Sequence, residues 1–406
     1  MINEHIMYNK NISKILEKVK NKGDKAVTDY TYKFDKIRLS SASFRLTPKQ
    51  VNELAEKTPQ KLKTAIKNAA RNIEYFHKQE YQRIKKTWQI KTNGKILGQI
   101  INPVDNLCVY IAGGKYAFYP SIVLMSVIPA KIAGVKNITI TTPPNNITPS
   151  VMYAAKITGV NTVYRIGGPQ AVAAFAFGTK TIPKADMIVG PGSSYVTESK
   201  RQLYGITGID LIAGPSEVGI ICDETAQPKQ LAYDLLSQIE HSPDARGYLF
   251  CSSVGLINKV KKLIEIEIKE NRSSLPYLSL KKQLSFYNCS TEKAVEEVNK
   301  IAPEHLQIIH KKESYILSRI KNAGAVFLGK YTPVVTGDYY AGPSHTLPTN
   351  GTARFSSGLS VQTFLKKISV IRYSQSALIK DASNIQELAL SEGLKMHAKS
   401  IKVRVE

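Results

Sequence analysis

The sequence predicts an α/β fold: two Rossmann-like parallel-sheet domains with small helical N-terminal and C-terminal extensions, and no standard GxGxxG fingerprint. Three observations lead there. Short apolar or β-branched runs alternate with helix-length segments from residue 107 to 189. Glycine turns close several of those runs, and a second alternating set begins near residue 218. Strands that alternate with helices need crossover connections, and these put neighbouring strands parallel.

The elements follow in order. Residues 10–90 read mostly as helix, because Val51, Leu54, Leu62, Ala65, Ile66, Ala69 and Ile73 recur at helical spacing with Lys and Glu between them. The pattern breaks at Ile101-Asn102-Pro103. Strands are expected at 107–112, 137–142, 162–166 and 187–189, with helices at 120–134, 150–159 and 170–178. In the second set, strands are expected at 218–222, 248–251 and 325–328, and helices at 228–239, 256–269 and 291–301. From about Gly358 the chain changes character, with a strand at 368–373 and a helix at 379–395.

Composition narrows the class. A chain of 406 residues, 43% hydrophobic and 22% charged, is an ordinary globular protein of two or three domains. Its 56 Lys and Arg against 32 Asp and Glu give a net charge of +24, which would attract polyanions. The basic residues are spread thinly, in short runs at 18–25, 83–86, 259–262 and 366–367. Only the second run has aromatics beside it, Tyr81 and Trp88, too few for a stacking surface, so a solvated surface and no nucleic acid partner are expected. Residues 1–22 carry Glu4 and Glu17 and no apolar core, unlike a signal peptide. No apolar stretch is long enough to span a membrane. Cys108, Cys222 and Cys251 sit in apolar runs, where reduced thiols belong, and only Cys289 lies outside one. A cytoplasmic protein is expected.

The glycine turns raise the possibility of nucleotide binding. Gly113-Gly114, Gly167-Gly168 and Gly190-Pro191-Gly192 each follow a strand, where a backbone approaches phosphate at a helix N-terminus. Any one of them is equally a plain strand-to-helix turn; three in succession would line one edge of a sheet.

Four histidine segments carry the acid–base and metal chemistry. Gln238 and His241 are three apart and share a helix face, as a ligand pair or as a surface pair. Glu304-His305 follows a proline, either as a helix N-terminus or as a turn reaching one cavity. Asp338 and His345 flank a loop rich in Gly and Pro. Glu392 and His397 lie across Gly393, and by local sequence alone read as a solvated helix end. Imidazole, carboxylate and carboxamide together suit a cysteine-free zinc site, and imidazole beside carboxylate moves protons near neutral pH. His5, His77 and His310 lie in charged stretches that read as exposed, and no role attaches to them.

Taken together the motifs match one family in order. They run from Val109-Tyr110-Ile111-Ala112-Gly113-Gly114 through Gly167-Gly168-Pro169-Gln170-Ala171, Gly190-Pro191-Gly192 and Ala213-Gly214-Pro215-Ser216-Glu217. They continue with Gln238-Ile239-Glu240-His241-Ser242-Pro243-Asp244, Ala302-Pro303-Glu304-His305-Leu306, Gly337-Asp338-Tyr339, Gly342-Pro343-Ser344-His345 and Glu392-Gly393-Leu394 with His397. Over nearly its whole length the chain resembles histidinol dehydrogenase. The resemblance implies a zinc-dependent, NAD-linked oxidation of L-histidinol to L-histidine through the aldehyde, in a homodimer with shared active sites. It implies Gln238, His241, Asp338 and His397 as zinc ligands, the last from the other subunit. Glu304 and His305 match the catalytic pair. Ser216, His345 and Glu392 match further substrate contacts, alongside Gln238, His241, His305, Asp338 and His397. Tyr110, Gln170 and Ser193 match cofactor contacts.

The corresponding domain expectation joins 1–106 to 215–357 as the metal and catalytic domain. Residues 107–214 form the NAD-binding domain and 358–406 a dimerisation arm. Two residues depart from the family pattern: Ala112 stands where a proline is common, and Ser193 where an asparagine is expected. A serine hydroxyl has the shorter reach, so NAD affinity is the property that this substitution touches. The N-terminus is also shorter than in many members, which bears on dimer packing. Two other functions stay open on sequence: a relative that oxidises another metal-chelating alcohol, and a basic nucleic-acid-binding protein. A covalent aldehyde route would need a thiol, and Cys289 is its candidate.

Overall fold

In the computed structural model, residues 2–84, 87–113, 119–271 and 278–406 are described, with side chains from residue 10 onward. Gly114, Lys85, Lys86 and the side chain of His5 lie outside that set. In chain order the strands are β1 (Arg45–Leu46), β2 (Trp88–Thr92), β3 (Lys95–Pro103), β4 (Asn106–Tyr110), β5 (Asn137–Thr141), β6 (Val163–Tyr164) and β7 (Met187–Val189). They continue with β8 (Gly208–Ile209), β9 (Glu217–Cys222), β10 (Arg246–Cys251), β11 (Leu284–Asn288), β12 (His305–Ile309), β13 (Ala325–Leu328) and β14 (Leu365–Tyr373).

The first sheet runs β1-β6-β5-β4-β7-β8, parallel except for the antiparallel edge strand β1. The second runs β11-β10-β9-β12-β13 and is parallel throughout. Both orders reverse direction part-way, as expected of doubly wound sheets. Central strands of such sheets are covered on both faces. The all-buried patterns of β7, β9 and β12 follow from that. The helix Pro120–Ala133 is apolar all round, and eleven of its residues are buried. The remaining strands form an antiparallel sheet, β14-β3-β2, in which β14 pairs with β3 along its full nine residues.

The structure departs from expectation in four places. The helices of 1–106 were expected to join 215–357, yet they pack on the six-stranded sheet. Ile12, Leu16, Val27 and Phe44 share a core with Cys108 and Tyr110, and Val51, Ile66 and Ile73 share one with Leu107 and Val109. The helical stripe read from sequence fixes which face is buried but not which sheet covers it. Residues 359–364 also belong to that core, through Leu359, Val361 and Phe364, so the arm leaves the body only at β14. The expected helix at 379–395 is two helices, Gln375–Ser391 and Lys395–Lys402, separated at Gly393, which has φ +76°. Finally, His77 is buried and bonded to Glu80, and His310 is largely buried beside Asp223.

One close approach joins two strands of the second sheet beside the buried Glu304. A methyl group added at Gly324 would lie 2.4 Å from the backbone oxygen of Glu304, the acceptor for Ala325 N–H at 3.0 Å. Gly324→Ala must therefore push β13 from the start of β12. It is expected to cost about 1–3 kcal/mol, read as a lower urea midpoint with unchanged slope. An unchanged midpoint would mean that this contact is not the constraint.

Candidate active site

The candidate residues lie at the carboxyl edge of the first sheet and at the amino edge of the second. On the first, β4 ends in Tyr110, Gly167-Gly168 follows β6 at the start of the next helix, and Gly190 follows β7. Tyr110 is buried, and its hydroxyl accepts the Gly168 N–H at 3.0 Å. Burial pushes its phenol well above the ordinary range, so it stays protonated. Gln170, in the first turn of the helix Gly168–Phe177, is fully buried with neither amide atom hydrogen-bonded. Ser193 caps the helix Ser194–Leu203, exposed and with its hydroxyl free of any cap bond. A protonated phenol, an unsatisfied carboxamide and a free hydroxyl at a helix N-terminus form a polar edge able to hold a phosphate-bearing ligand.

The second group is built on the pairing of β9 with β12, in which His305 lies opposite Val218. His305 is the first residue of β12, not of the helix that one reading of Glu304-His305 allowed. The run His305-Leu306-Gln307-Ile308-Ile309 is short and buried on both faces, so its periodicity carried no strand signal. His305 Nδ1 lies 3.1 Å from the Glu217 carbonyl oxygen. A carbonyl only accepts, so Nδ1 carries the proton and Nε2 is left with its lone pair. Nε2 is buried, has no hydrogen-bond partner, and lies 3.7 Å from Asp338 Oδ1. Burial holds the imidazole down to about 3, aided by His241 and His345, against the raising effect of the Glu217 carbonyl. It is therefore neutral, and its 3.6 Å approach to Glu304 is no ion pair.

Glu304 is buried immediately before β12. One carboxylate oxygen accepts the Glu217 N–H at 3.1 Å. Burial raises its pKa well above the ordinary carboxylate range, and Asp338 adds to this. Such a carboxyl takes a proton readily near neutral pH. Asp338 lies in the short helix Val334–Tyr339, and burial lifts it to about 6. Its backbone oxygen lies 2.8 Å from His345 Nδ1, leaving His345 Nε2 unprotonated. Gln238, buried in the last turn of Pro228–Ile239, places Nε2 3.3 Å from His241 Nδ1. His241 Nδ1 is also 3.3 Å from Ser216 Oγ. His241 is open on one side, yet burial on the others lowers its pKa.

Gln238, His241, Ser216, Glu304, His305, Asp338 and His345 thus gather through direct contacts or mutual charge effects. Glu392 and His397 do not join them within this chain. Both are exposed, and among the described residues no hydrogen bond or ion pair links either to the ligand candidates. Nor do the described residues of one chain gather three His, Cys, Asp or Glu side chains able to hold a metal. The donors present, an imidazole, a carboxylate and a carboxamide, suit zinc but leave its shell short. Cys289 follows β11 at the carboxyl end of the second sheet, its N–H bonded to the oxygen of Cys251, the last residue of β10, at the opposite edge from Glu304 and His305. Glu217, whose backbone fixes both Glu304 and His305, was not singled out from the sequence. It acts through backbone contacts that leave no local signal.

Two doubly wound sheets, with buried carboxyl and imidazole groups gathered at the amino edge of the second, define an α/β protein that carries the groups of a proton-transfer site. A family model described as histidinol dehydrogenase matches residues 3–405. The histidinol dehydrogenase of Streptococcus mutans serotype c is 44% identical over 401 residues, covering 97% of this chain and 92% of that one. That of Bacillus cereus is 43% identical over 401 residues, covering 98% and 92%. The crystal structure of histidinol dehydrogenase from Elizabethkingia anophelis aligns with a TM-score of 0.90 at 37% identity, covering 98% of this chain and 92% of that chain. The chain belongs to the histidinol dehydrogenase family, dehydrogenases of the last step of histidine biosynthesis.

Burial of His305 has a consequence for stability. Its folded pKa of about 3 lies below the ordinary 6.5, so between these values the unfolded chain binds the extra proton. His305 therefore stabilises the fold above pH 6.5, and this is lost as pH falls toward 3. Asp338, raised from 3.8 to about 6, acts in the opposite sense, stabilising at low pH. In metal-free protein, His305→Asn should flatten the fall in melting temperature between pH 6.5 and 4.5. An unaltered slope would show that His305 is already protonated in the fold or is not buried there.

Proposed function

We propose that the protein is an NAD-linked, zinc-dependent histidinol dehydrogenase that oxidises L-histidinol to L-histidine through L-histidinal, using two NAD in turn. The observation that carries this is the orphaned Nε2 of His305, a neutral buried base with its other nitrogen fixed by a backbone carbonyl. Oxidation of an alcohol needs its hydroxyl proton removed as hydride leaves. His305 supplies that base in both oxidations, since both take hydride from the same carbon. Glu304, with its raised pKa, takes the proton from the water that adds to the aldehyde before the second hydride leaves.

When bound, zinc would supply a fixed positive template for the substrate's imidazole and amino nitrogens. Gln238, His241 and Asp338 would hold it, with His397 of a second copy completing the shell. Support for the last ligand comes from the arm. Its two helices pack on one another, and leave Leu388, Leu390, Leu394 and Met396 exposed. Apolar surface of that kind on an extended element calls for a partner. Ser216, His345 and Glu392 would contact the substrate, and Tyr110, Gln170 and Ser193 the dinucleotide. The alternative alcohol substrate fits less well, because Ser216 already stands beside His241 and His345 beside Asp338.

The direct test is stoichiometry. Purified protein with limiting L-histidinol and excess NAD should yield two NADH per substrate; one, or none, would sink the reading. His241→Ala and His397→Ala should each lose bound metal. Mixed dimers of His397→Ala with His305→Ala should recover part of the activity, since one of the two sites would be intact. No recovery in a confirmed mixed dimer would place His397 in its own subunit's site.

A further inference from the structure

Behind the polar edge of the first sheet lies a buried ion pair that the reaction does not use. Lys200, in the helix Ser194–Leu203, pairs with Asp210, just past β8. Their side chains are 3% and 1% exposed. Both also grip one residue. Lys200 Nζ donates to the Gly190 carbonyl oxygen at 3.0 Å, and Gly190 N–H donates to Asp210 Oδ2 at 2.7 Å. The other Asp210 oxygen also accepts Leu211 N–H at 2.7 Å. Gly190 needs such a grip. Its φ is +108°, and a Cβ there would fall 2.1 Å from the Tyr110 carbonyl oxygen.

A buried ion pair is a poor way to stabilise a fold, because its desolvation cost offsets most of its Coulomb attraction. What it supplies here is geometry. Gly190 begins the turn that ends in Ser193, and it is wedged against Tyr110. Asp210 begins the crossover from β8 to β9, which passes Gly214, bonded to Thr349, and Ser216 before reaching Glu217. One ion pair therefore holds both the turn on the cofactor side and the chain entering the substrate side.

We propose that Lys200 and Asp210 are positioning residues, which hold the 190–193 turn in place for the dinucleotide and in register with the 214–217 segment. This rests on the reading that the turn contacts NAD. The test uses full-length, metal-loaded enzyme. Lys200→Met and Asp210→Asn should each raise KM for NAD by about tenfold or more, with KM for L-histidinol changed by less than about threefold and metal content unchanged. Lys200→Arg, which keeps the charge, should recover part of the NAD affinity.

The double variant Lys200→Met, Asp210→Leu removes both charges. It should melt close to wild type and keep the NAD defect, and it decides the matter if a single variant fails to fold. Wild-type KM for NAD in the double variant, or equal changes in both KM values, would overturn the proposal and leave the pair a packing feature. If the wild type itself does not turn over with NAD, the dinucleotide reading fails instead, and that is visible before any variant is made.

Discussion

The backbone of Glu217 is the constraint on which the catalytic half depends. Its carbonyl fixes the His305 tautomer, and its N–H fixes one oxygen of Glu304. Both bonds are made at the amino end of β9 against β12, where the parallel ladder starts. The ladder cannot slip without turning buried side chains to the other face. Acid and base thus inherit the precision of a five-residue strand pairing and not that of a loop. The Glu217 side chain adds a second tie, accepting Asn350 N–H at 3.2 Å and so holding the end of the 338–350 segment that supplies Asp338 and His345.

The two sheets present opposite edges to the site. Carboxyl ends of parallel strands are where helix N-termini and glycine turns collect, which suits an anionic ligand. Amino ends offer no such dipoles. The second sheet brings buried carboxyl and imidazole groups there, whose protonation is set by desolvation. On the proposed reading, the use of unlike edges would separate phosphate recognition from proton transfer. The wedge of Gly190 against Tyr110 and the Lys200–Asp210 grip would then shape the edge in place of a GxGxxG turn.

How much of this was legible follows from what each signal measures. The helices Pro228–Ile239 and Thr291–Ile301 and the strands β7 and β13 fall where the sequence puts them, because apolar period and turn residues agree there. β12 was not seen, since five residues buried on both faces show no alternation. β2 was hidden for the opposite reason, since all five of its residues are exposed, and β3 because its half-buried residues show no strict alternation. The ordered motifs named the family and grouped seven site residues that the fold indeed gathers. They could not reveal Lys200 and Asp210, whose partners are the backbone of Gly190 and each other. Nor could spacing say that 1–106 folds onto the first sheet, since a helical stripe is blind to its cover.

His397 shows where one chain stops being enough. By local sequence it looked like a solvated helix end, and in one chain it is exposed. The arm that bears it is nevertheless well ordered by its own contacts. β14 is paired along its length, Lys95 ties Asp381 to the body, and Gly393 breaks the helix so that Lys395–Lys402 folds back on Gln375–Ser391. An element held this firmly, yet showing apolar side chains to solvent, suits the proposed docking on a second copy. A metal shell short by one ligand in one place and an exposed imidazole on such an arm in another are complementary defects. Were two copies to exchange arms as proposed, both would be answered at once, and metal loading would depend on dimer formation.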